Sequence, residues 1–147
     1  MSKASPELRR FARRLIAYET SLRSKSSDAG EATFQVIDEL RPPLVNLMGI
    51  GGFRALLSRA IARGSDEVRW LRAVHVKADG SLTGFEEYAS LGPGQFAEGK
   101  IALLAQLLGM LVALIGAPLT LRLVFDIWPT FARRSHLGNG EAHEEET

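Results

Sequence analysis

Chemistry in this chain would have to come from four small groups of residues, and each falls short of a reaction. The run from Asp79 to Glu86 holds the acid, turn glycine, apolar residue and closing glutamate of half a calcium loop, as Asp79, Gly80, Leu82 and Glu86. Counting back puts His75 and Lys77 where such a loop needs carboxylates, and a lysine ammonium there repels the cation. A hairpin turn followed by a helix explains the same residues. Gly49-Ile50-Gly51-Gly52 could offer backbone N–H groups to a phosphate at a helix start. The dinucleotide fingerprint, however, needs a glycine where Arg54 stands, together with a preceding strand, and no Walker lysine follows. Arg54 is the best-placed residue for an anion at that bend. The three histidines, His75, His136 and His143, contain no i,i+4 pair of the kind that holds a metal on a helix. Asp38 and Glu39 stand beside Arg41 and pair with it as readily as they would move a proton.

No base stands near a credible nucleophile, so a hydrolytic triad has no support. The absence of cysteine removes disulfides, thiolate nucleophiles and Cys-held zinc or iron–sulfur sites. The sequence therefore assigns no catalytic, metal-ligating or cofactor-binding residue and implies no cofactor. A non-enzyme is the expectation.

The elements that would position these groups are helices. Ser5-Pro6-Glu7 is a helix start: a hydroxyl cap, a proline in the first turn and an acid by the positive end of the dipole. Leu8, Phe11, Ala12, Leu15 and Ile16 recur at helical spacing, which predicts a helix over 5–22 with Arg9, Arg10, Arg13 and Arg14 on its outer side. A second helix is expected over 29–41. It should end at Pro42-Pro43, which open a short third helix reaching Met48. A fourth runs over 53–63 and closes at Gly64. A short helix through Trp70 and Leu71 follows. The alternation Val74-His75-Val76, the dipeptide Asp79-Gly80 and the return Ser81-Leu82-Thr83 predict a hairpin with His75 outward. Another short helix is expected from Phe85 to Ser90.

From Ile101 to Leu121 the chain carries no charge. That length can cross a bilayer. Gly116 and Pro118 interrupt it, and Arg122 and Asp126 make the continuation amphipathic, so the spacing predicts helices over 94–115 and 118–128. The first has a bulky stripe at Leu104, Leu108, Leu111 and Ile115. Its small stripe is Ala102, Ala105, Gly109, Ala113 and Gly116. A helix apolar all round must be buried, so this one is read as the central helix of a water-soluble bundle, covered by its own chain.

The fold class that results is all-α: a compact bundle of about six helices around a central hydrophobic helix, with one short hairpin insert. Residues 1–131 form the single domain and 132–147 a flexible acidic tail. At 147 residues and 46% hydrophobic content the chain can build such a core. Net charge is only +1, yet the arginines of the first helix and the glutamates at 141 and 144–146 polarise the ends. The N-terminal charge has no hydrophobic run behind it, so no signal peptide is expected and a cytoplasmic location is the default.

The segments LRPPLVNLMGIGGFRALLSRAIARG, WLRAVHVKADGSL and IALLAQLLGMLVALIGAPLTLRLVFDIWP together resemble small, uncharacterised bacterial helical proteins. The resemblance implies a small independent module of bacterial origin, and no activity. The functional reading is a non-enzymatic protein-interaction or regulatory module acting through helical-surface docking, with another protein or a second copy as partner. Arg9, Arg10, Arg13 and Arg14 are its expected interaction surface. One alternative is a membrane-associated helical protein using residues 101–121. A second is a small-molecule-binding protein or enzyme with a site near the Gly49–Gly52 bend. Nucleic acid is the poorest fit, because the basic helix has no recognition helix or aromatic-basic strand beside it.

Overall fold

Leu103, Leu104, Leu107 and Leu108 are essentially without solvent contact, and the fold is built around the helix that carries them. The computed structural model describes residues 5–23, 34–84 and 93–133. It comprises α1 (Pro6–Arg23), α2 (Gln35–Gly64), a 3-10 turn (Arg69–Ala73), β1 (His75–Val76), β2 (Leu82–Thr83), α3 (Pro93–Ile115) and α4 (Ala117–Ile127). A further short helix covers 129–133. The expected helix over 85–90 and the tail from 134 onward lie outside the described residues, as does the start of the second helix expected at 29. The all-α class, the hairpin insert and the central position of α3 all hold.

The start of α1 is as the sequence dictates: the Ser5 hydroxyl accepts from the Leu8 amide at 3.2 Å. Ala12 and Leu15 are buried, and Arg10, Arg13 and Arg14 are exposed. α2 differs from expectation. The chain does not break at Pro42-Pro43, and both prolines lie inside one helical run. Each proline removes a backbone donor from the helical ladder. Pro42 is exposed, and Val36, Ile37, Leu40 and Leu44 hold the segment in the core. The real break is at Gly49, with φ 79° and ψ 162°, a conformation that side chains with a Cβ rarely adopt. The glycine-rich bend thus lies where the spacing put it, and the two prolines do not end the helix.

α3 packs against α1, α2 and α4. Gly64 lies against the Leu103 backbone, while Met48 and Ile115 border one hollow, so the second half of α2 runs antiparallel to α3. α1 is antiparallel to α3 as well, with Leu8 beside Gly109 and Arg13 beside Glu98. Gly116, at φ 90°, ends α3 and turns the chain into α4. α4 then lies so that Phe125 and the following Phe131 meet Phe11 on α1, at ring separations of 6.3 and 5.7 Å. Trp128 donates its indole N–H to the buried Glu19 carboxylate at 2.8 Å. That bond satisfies a ring nitrogen and a carboxylate oxygen that burial would otherwise leave costly.

The hairpin pairs His75 with Thr83 and Val76 with Leu82. Asp79 Oδ1 accepts from both the amide and the hydroxyl of Ser81, at 3.0 and 2.6 Å. These bonds hold the Asp79 carboxyl below its ordinary value, with the side-chain bond the larger cause. The Asp79 carboxylate that half a calcium loop would offer to a cation is thus engaged in closing the turn. Val74 is buried and His75 exposed, as the alternation predicts.

Candidate docking surface

The strongest polar cluster joins three elements. Glu67, in the turn after α2, has a side chain only 7% exposed. Its Oε1 accepts from Arg9 of α1, and its Oε2 from the Gln106 amide of α3 at 2.9 Å. Arg9 and Arg13 also face Glu98, at 3.5 and 3.9 Å. A carboxylate so held is a tie between helices, since both its oxygens accept from fixed donors, although Glu67 also borders an open hollow of about 920 Å³ with Trp70, Arg72, Gln95 and Glu98. Arg9 therefore belongs to the inside of the bundle in part, and its role as a surface contact is shared with this tie. Arg10 and Arg14 stay exposed and form no ion pair among the described residues.

Next to this tie, Trp70 lies flat over Gly99. A Cβ built on Gly99 would fall 2.1 Å from the Trp70 ring. Trp70 also stacks on Phe96 at 5.5 Å and donates to the Gln95 carbonyl at 3.2 Å. Lys100 Nζ sits over the Phe96 and Phe34 rings, at 4.8 and 5.6 Å, and burial lowers its pKa. Trp70 is thus a packing residue. These residues clamp the start of α3, and in the sequence the Gly99 contact shows only as a glycine within a helix.

The residues singled out for a reaction site are dispersed. Arg41 pairs with Asp38 at 3.2 Å beside the hairpin. His75 borders a separate shallow hollow with Ser58, Ser65 and Arg72. Arg54 is exposed on the outer side of α2 and lines neither that hollow nor the one described next. His136 and His143 lie outside the described residues. Among the described residues no cluster of three or more His, Asp or Glu side chains could hold a metal.

The far end of α3 is different. Of the six large apolar side chains exposed among the described residues, five flank the breaks at Gly49 and Gly116: Leu47, Ile50, Leu114, Leu119 and Leu121. Leu114 is the barest, at 66% exposure, and Leu47 follows at 50%. The two breaks are brought together in space. Leu47, Met48 and Gly52 on α2 face Ala113, Leu114 and Ile115 across a hollow of about 880 Å³. Its floor has small residues at Gly52, Ala55, Gly109 and Ala113, its other end is bordered by Arg59, Arg63 and Gln106, and Ser5 and Leu8 of α1 also line it. The expectation that the helix over 94–115 is covered by its own chain therefore holds for its middle and is corrected at its end. Residues 101–108 are all buried, but Ala113, Leu114, Ala117, Pro118, Leu119 and Leu121 are exposed. The physical reason is that α1 and α2 cover α3 only as far as their own ends and bends allow. α2 kinks at Gly49, and α1 begins at the level of Gly109.

α2 and α3 are both long and apolar enough to cross a membrane by length and composition. In α3 the most apolar window is 56% buried within the bundle. Compared with protein-family models, curated proteins and solved structures, the chain matches none.

Proposed function

We propose that this protein is a non-enzymatic docking module, and that its docking element is the apolar end of the bundle rather than the arginine face of α1. One observation carries the reading: the two barest aliphatic side chains, Leu47 and Leu114, line one concave hollow between α2, α3 and the start of α1, and Ile50, Leu119 and Leu121 are exposed near the same two breaks in the chain. Exposed apolar groups collected around a hollow have the character of binding surfaces, whereas single scattered ones need no explanation. A concave slot between helices suits a convex occupant such as an amphipathic helix of a partner protein, which lays apolar residues into it. Leu47 and Leu114 supply the apolar walls, and the glycines and alanines let a helix backbone approach. Arg10 and Arg14 act at most on approach rate, as exposed charges do.

The test is site-specific photo-crosslinking in cells of the source organism. A photoreactive residue at Leu114 gives discrete protein adducts, and one at Thr20, exposed on α1, gives none. Equal labelling from both positions, or lipid adducts at Leu114, rejects the reading.

A further inference from the structure

Charge is distributed unevenly around the hollow, and the unevenness specifies what fills it. From Leu40 to Ser65 the chain has arginines at 41, 54, 59 and 63 and no carboxylate. From Gly99 to Phe125 it has Lys100 and Arg122 and again no carboxylate. These two segments supply nearly all the walls. Within the hollow the positive charge is confined to one end. Arg59 and Arg63, one helical turn apart, stand at the level of Gln106, whereas Leu47, Met48, Leu114 and Ile115 stand at the other. Arg59 and Arg63 form no ion pair among the described residues. Behind Gln106 lies Glu67, which is already bonded to Arg9, and the exposed Asp66 follows in the turn after Arg63, its amide donating to the Arg63 carbonyl at 3.2 Å. From Gly52 to Arg63 the helical rise gives a slot of roughly 16 Å, about three turns of helix.

We infer that the occupant is a partner helix of about three turns with carboxylates in its first turn and an apolar stripe after them. The inference rests on the docking reading above and gives it a polarity. Carboxylates in a first turn are favoured by the occupant's own dipole, and here they meet Arg59 and Arg63. The stripe at i, i+3, i+4 and i+7 then follows the small-residue floor toward Leu114. The occupant runs antiparallel to the second half of α2, which sets its N-terminus beside the negative end of that helix. A lipid surface is flat and leaves the hollow unfilled, so the concavity favours a helix.

Three synthetic helical peptides test this with the full chain, by fluorescence anisotropy. All three carry the same leucine stripe. The first has glutamates in its first turn, the second glutamines there, and the third glutamates in its last turn. The first binds about tenfold tighter than either of the others, and the advantage shrinks as salt rises. In the double variant R59E/R63E, whose exposed side chains leave the core untouched, the first peptide loses that advantage and a fourth peptide with first-turn lysines gains it. Ala113→Trp, which fills the slot from an exposed position, abolishes binding of all peptides while circular dichroism stays native. Equal affinity for all the leucine peptides overturns the charge assignment and leaves the docking reading standing. Absence of any peptide binding overturns both, as does capture by phosphatidylserine vesicles alone. A dimer that Ala113→Trp dissolves gives the hollow to a second copy and overturns the foreign helix.

Discussion

The two ends of α3 are made of the same kinds of residue and meet opposite fates. At the near end Leu103, Leu104, Leu107 and Leu108 are sealed by α1, α2 and the Trp70 clamp. At the far end Leu114 is bare, as are Leu119 and Leu121 just beyond it in α4. Composition does not separate them, for the whole stretch is uncharged. What separates them is the reach of the neighbouring helices, limited by Gly49 in α2 and by the start of α1. An uncharged helix therefore reports that something covers it, and only the lengths of its neighbours say how far the same chain does so.

Truncating Leu107 to Ala breaks the near end most severely. A fully buried leucine leaves a cavity, and urea denaturation is expected to show a loss of about 2–5 kcal/mol. Glu67→Ala is the next largest. It leaves Arg9 and Gln106 facing a lost carboxylate, at a cost of about 2–3 kcal/mol in the same assay. Gly99→Ala displaces the Trp70 ring and costs about 1–3 kcal/mol, with a change in tryptophan emission that reports the lost stacking on Phe96. Leu114→Ala sharpens the contrast from the other side. At 66% exposure it should leave stability within about 0.5 kcal/mol, so a loss comparable to Leu107→Ala would erase the distinction between the ends.

The smallest effect belongs to the hairpin. Asp79 has a depressed folded pKa, so its bonds to Ser81 contribute above the unfolded value of 3.8 and fade as pH falls through the lower folded value. Asp79→Asn should flatten the acid side of the stability profile slightly and leave neutral pH almost unchanged.

Much of the scaffold was legible because it rests on local rules. The Ser5 cap, the Asp79-Gly80 turn, the breaks at Gly49 and Gly116, and the bounds of α3 and α4 follow from backbone chemistry and periodicity. The passage of α2 through Pro42-Pro43 was not, because tertiary burial of Val36, Ile37, Leu40 and Leu44 outweighs two lost hydrogen bonds. The docking surface was legible only in part. Its small-residue stripe at Gly109 and Ala113 stands out in the sequence, but which stretch of α3 lies open depends on contacts far apart in the chain. Arg9 shows the same limit. It shares a helix face with Arg13 in the sequence, yet Glu67, fifty-eight positions on, draws it inward.

Paramagnetic relaxation of the leucine methyl groups by a neutral soluble probe, with the monomer in detergent-free buffer, tests the account most directly. The methyls of Leu47, Leu114, Leu119 and Leu121 should relax strongly, and those of Leu103, Leu104, Leu107 and Leu108 should be shielded. Shielded Leu114 methyls in the monomer, or strongly relaxed Leu107 and Leu108 methyls, would contradict it.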